Sequence, residues 1–73
     1  MSKQAAEHHR KAAEHFENAA QHHREAAKHH EAGEHEKAAH HAHLARGYQE
    51  RAIREAAEAA EDYIMIYPTM LAA

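Results

Sequence analysis

AAEHHRKAAEHFENAAQHHREAAKHHEAG, residues 5–33, is the stretch that decides the fold. It divides into AAEHHRK from Ala5, AAEHFEN from Ala12, AAQHHRE from Ala19 and AAKHHEA from Ala26, a period of seven that ends at Gly33. A seven-residue repeat is the signature of a helix that packs on another helix. Alanine, glutamate, lysine and glutamine are strong helix formers, and Ser2 suits an N-cap, so the pattern predicts a helix over about residues 3–31.

Gly33 stands where a left-handed C′ residue would end that helix. Beyond it the pattern restarts, with Ala38, Ala42, Ala45, Gln49, Ala52, Ala56, Ala60, Tyr63 and Tyr67 on one face and Glu50, Arg54, Glu58 and Glu61 opposite. This predicts a second helix over about 34–66, stopped by Pro68. Gly47 within it costs about 1 kcal/mol relative to alanine, which points to a close backbone neighbour or a locally weak helix. The fold class expected is all-α: an antiparallel two-helix hairpin forming a single domain over 1–73.

A single core in a chain of 73 residues falls short of comfortable stability unless disulfides, metal or association support it. With no cysteine, disulfides and thiolate metal sites are excluded. Association and metal remain. The expectation is a homodimer or higher homo-oligomer, two hairpins making a four-helix bundle. The apolar C-terminal tail, residues 63–73, would then pack across the mate or dock a protein partner.

The turn region, Gly33-Glu34-His35-Glu36-Lys37-Ala38, resembles the inner turn of a tetratricopeptide repeat over about 20 residues. That likeness implies hairpin geometry and no particular activity. More broadly, residues 5–45 resemble the small histidine- and alanine-rich helical proteins of bacteria with AAEHH-type repeats, which again implies the fold alone.

Charge and composition exclude several functions. The formal charge is −3 with neutral histidines, and no basic patch dominates either helix, which argues against nucleic-acid binding. No stretch approaches the roughly 18 apolar residues of a membrane span, and no apolar leader follows Met1, so a cytoplasmic protein with no membrane role is expected. An enzyme is not expected either: Ser2 and Thr69 sit at opposite ends, and nothing pairs a nucleophile with a base.

What stands out is 11 histidines. Protonating all of them would carry the charge from −3 to +8, one unit for each. With Phe16 placed at the centre of the first helix's buried face, His9, His23 and His30 become the large side chains of the seam. His8, His15, His22 and His29 then flank it. On the second helix His35 and His41 fall near the buried face, and His40 and His43 outside it. A turn at Gly33 would bring His30 to His35 or Glu36, and His23 to His41–His43.

A buried imidazole with an unsatisfied nitrogen costs about 1–3 kcal/mol, and alanine walls offer no partner. Clustered imidazoles on facing helices are where a copper, zinc or nickel ion would bind. The metal ligands expected are therefore His23, His30, His35 and His41 at the seam. A second, outer group is Glu36, His40 and His43, spaced i, i+4 and i+7. Neither H-E-x-x-H nor Glu-x-x-His occurs in the chain. A non-catalytic metal binder is the leading expectation. The alternatives are a homo-oligomeric scaffold that docks through its tail and an assembly that dissociates when the seam histidines protonate.

Overall fold

A computed structural model describes residues 2–67. It consists of two helices, α1 (Ser2–Glu31) and α2 (His35–Ile66), packed against each other as an antiparallel hairpin. Both expected helices are present with nearly the expected bounds. Residues 68–73, with Pro68 and most of the apolar tail, lie outside the described part.

The turn follows from the local sequence. Gly33 takes φ +78°, a conformation that costs other residues the clash of their Cβ. Its N–H donates to the His30 carbonyl at 3.0 Å, and the Glu34 N–H donates to the His29 carbonyl at 2.8 Å. Those two bonds are the Schellman closure of a helix C-terminus. Glu34 then opens α2, its carbonyl accepting from the Ala38 N–H at 3.0 Å. Its side chain caps nothing. It reaches instead to His29 and Lys37, at 2.9 and 3.3 Å.

Among the described residues the buried ones are all alanines: Ala12, Ala19 and Ala26 on α1, and Ala38, Ala45, Ala52 and Ala59 on α2. Each set steps by seven, so one narrow stripe of each helix faces the other. Three residues beyond each of these α1 alanines lies a half-buried histidine, His15, His22 and His29, and His8 stands in the same relation to the half-buried Ala5. The corresponding places on α2 hold His41, Tyr48, Glu55 and Asp62, also half-buried. The interface is thus alanine layers alternating with polar and ring layers.

This corrects the expected face of α1. Phe16 is 47% exposed, and His9, His23 and His30 are exposed as well. The reason lies in the repeat itself: paired alanines and paired histidines give α1 two alanine–histidine stripes one residue apart, and a projection centred on Phe16 selects the other one. On α2 the same shift leaves Ala42, Gln49, Ala60 and Tyr63 exposed, and His35 with them. Gly47 is exposed with no atom near enough to touch an added methyl group, so no backbone approach explains it.

Candidate metal centre

The ring layers of the interface join into one stack. His29 lies over His41 with ring centres 5.3 Å apart and planes 9° from parallel. His41 stacks in turn on His22 at 5.3 Å, and His22 on Tyr48 at 5.6 Å and 5°. Tyr48 meets His15 at 6.2 Å, and the Arg51 guanidinium sits 5.7 Å from the Tyr48 ring centre. Rings from α1 and α2 alternate along the stack because both stripes repeat every seven residues and run in opposite directions.

At the turn end of this stack three metal-ligating side chains converge. One ligand atom each from Glu25, His29 and His41 lies within 4.8 Å of the others, and all three residues are half-buried. Glu25 and His29 are four residues apart, hence neighbours on one face of α1. His41 arrives from α2.

Hydrogen bonds define which imidazole atoms are available. His29 Nδ1–H donates to Glu34 Oε1 at 2.9 Å. With that nitrogen protonated, the neutral ring's lone pair is on Nε2. His22 Nδ1 and His41 Nδ1 are 3.0 Å apart, so one of them carries the proton and donates to the other. When His41 donates, its Nε2 is also bare. Metal-ligating histidines usually have their second nitrogen engaged this way, by a carboxylate or another acceptor that fixes tautomer and ring orientation.

Electrostatics act in the same direction. The His41 pKa is lowered from its ordinary value of 6.5, first by desolvation and then by charge on His22, His29 and His40, with Glu25 opposing. A lowered value keeps this imidazole neutral, the form that binds metal. Glu34 is lowered from 4.5, chiefly by its hydrogen bond with His29 and then by Lys37, so it remains an ionised acceptor. Glu25 Oε1 accepts from Gln21 Nε2 at 3.3 Å and lies 3.7 Å from Lys28 Nζ.

Of the ligands expected from sequence, His41 lies within this cluster. His30 and His35 meet each other, Nδ1 to Nδ1 at 2.9 Å, on the exposed side of the turn. His40 packs edge-on against His41 at 5.5 Å and is exposed. His23, Glu36 and His43 are exposed, and among the described residues they join no group of three at such spacing. The residues that sequence reasoning missed are Glu25, His29 and His22. The i, i+4 spacing of Glu25 and His29 was the available signal, hidden by the choice of face.

No family model, curated protein or solved structure matches this chain. Among the described residues no helix is long and apolar enough to cross a membrane.

Proposed function

We propose that this protein binds a divalent transition-metal ion, zinc, copper or nickel, through Glu25, His29 and His41, without catalysing a reaction. The observation that carries the reading is the convergence of three ligand atoms within 4.8 Å on two different helices. Ligands on a tetrahedral zinc lie about 3.3 Å from one another at bond lengths of about 2.0–2.1 Å, so small side-chain rotations close the set. The engaged Nδ1 of His29 supports it, because it leaves Nε2 of that ring to the ion, and Nε2 of His41 is free in the same way when His41 is the donor to His22. In the same reading two hairpins associate as a four-helix bundle.

An ion that joins α1 to α2 binds the folded hairpin and not the unfolded chain, so it stabilises by mass action, about 2.7 kcal/mol at a hundred times Kd. The test is thermal melting of EDTA-stripped protein at pH 7.5, with and without Zn²⁺, Cu²⁺ or Ni²⁺. A rise in Tm that His29→Ala and His41→Ala each remove, and His23→Ala does not, is the expected result. No rise with any of the three ions, or a rise that survives both substitutions, overturns the assignment.

A second reading, a scaffold docking through the end of α2, is favoured by a separate observation. Tyr63, Ile64 and Met65 are exposed, Met65 at 78%. It predicts loss of partner binding on truncation after Asp62, with no metal dependence.

A further inference from the structure

α1 carries its alanine–histidine pattern twice, and among the described residues only one copy is packed against α2, the other having His9, Ala13, Phe16, His23, Ala27 and His30 exposed. The covered stripe begins at Ala5 and ends at His29. Its duplicate, shifted by one residue, runs from Ala6 to His30 and has Phe16 at its middle. Every charged side chain of α1 lies outside both stripes. The helix therefore presents two uncharged faces that adjoin each other, and the molecule, 13 Å across its thin dimension, is one helix thick and covers one of them.

We propose that the second stripe is where a second copy of this chain docks, α1 against α1, antiparallel about a two-fold axis at Phe16. This rests on the homodimer reading above and names the face that reading needs. The second stripe adjoins the one that packs on α2 and repeats its pattern. Within the chain, like layers meet: His8 meets Glu55, His15 meets Tyr48 and His22 meets His41, seven residues up α1 for seven down α2, with the buried alanines between them.

The second stripe reproduces that arrangement against its own image. Setting Phe16 on the partner's Phe16 brings His9 to the partner's His23. The same register puts Ala13 beside the partner's Ala20 and Ala6 beside the partner's Ala27. Rings face rings and alanines face alanines, as His15 faces Tyr48 and His22 faces His41 in the α1–α2 interface. A surface that is its own complement is what an isologous two-fold contact requires.

The geometry also suits a bundle. Successive residues are turned by about 100° round a helix, so the two stripes point about 100° apart. That is close to the corner angle of four helices in a square, with α2 on one side of α1 and the partner's α1 on the other. Phe16, 47% exposed in the hairpin, would be covered in the dimer by a ring of its own kind.

The chain has no cysteine, so introduced cysteines report contacts without background. The experiment measures molar mass in solution and then oxidises three full-length variants: Phe16→Cys, Glu14→Cys on the charged face, and the double variant His9→Cys with His23→Cys. Dimer mass, cross-linking of Phe16→Cys and of the double variant, and none of Glu14→Cys, is the expected pattern. Residues 9 and 23 are about 21 Å apart along one helix, so their disulfide can form only between copies. A monomer overturns both the homodimer and this face. A dimer in which Phe16→Cys links no better than Glu14→Cys overturns the face alone.

Discussion

His8 Nδ1 donates to Glu55 Oε2 at 2.7 Å, joining residues 47 apart in the chain and clamping the end of the hairpin remote from the turn. Both side chains are about a quarter exposed. The Glu55 pKa is lowered from 4.5, with the His8 hydrogen bond the largest cause.

The sign of the resulting pH dependence follows from linkage. A carboxyl whose folded pKa is depressed binds fewer protons folded than unfolded, so its contribution is complete above about pH 4.5 and is lost as pH falls through the folded value. Tm of the metal-free protein should fall between pH 5 and pH 3, and Glu55→Gln should flatten that fall. NMR titration of His8→Ala should return the Glu55 pKa toward 4.5. A Glu55 pKa unmoved by loss of His8 would show that the hydrogen bond is not its cause.

Glu34 holds His29 from outside the cluster, which makes it a positioning residue for the proposed site. Removing such a partner typically costs about 10–100-fold in metal affinity. Glu34→Ala should weaken binding by that amount while helical content stays unchanged, since Glu34 makes no side-chain cap. Competition titration with a chromophoric chelator, together with circular dichroism, checks both halves.

The two glycines should respond oppositely to alanine. At Gly33, φ +78° imposes the left-handed penalty on any Cβ, and Gly33→Ala should lower stability by about 1–2 kcal/mol. Gly47 lies in mid-helix with open space around it, and Gly47→Ala should raise stability by about 0.5–1 kcal/mol. Urea unfolding of the two variants measures both.

His15 Nδ1 is buried with no hydrogen-bond partner among the described residues, and the ring stacks on Tyr48. Phenylalanine keeps the stack and removes the polar atom. His15→Phe should therefore stabilise the hairpin by about 1 kcal/mol, within the range for relieving an unsatisfied buried group. A drop in Tm would mean that bound water already satisfies that nitrogen.

The helices and their turn were legible in the residues because their causes are local. Four repeats of helix-forming residues specify α1, and a glycine free to take positive φ ends it. The same numbering about Gly33 brings His30 to His35, as read. The face of α1 was not legible. Its paired alanines and paired histidines make two stripes of nearly equal character, and local propensity does not distinguish them.

That decision belongs to the tertiary structure. The Schellman turn sets the rotation of α2 about α1, and the evenly spaced Ala38, Ala45, Ala52 and Ala59 meet the stripe containing Ala12, Ala19 and Ala26. A rotation of one residue moves the inward set from His9, His23 and His30 to His8, His15, His22 and His29. Glu25 and His29 meet His41 only as a result of that choice. The sequence by itself determined that there would be two helices, one turn and an excess of imidazoles. Which imidazoles meet was decided by packing, because only the partner helix tells one alanine stripe from its duplicate.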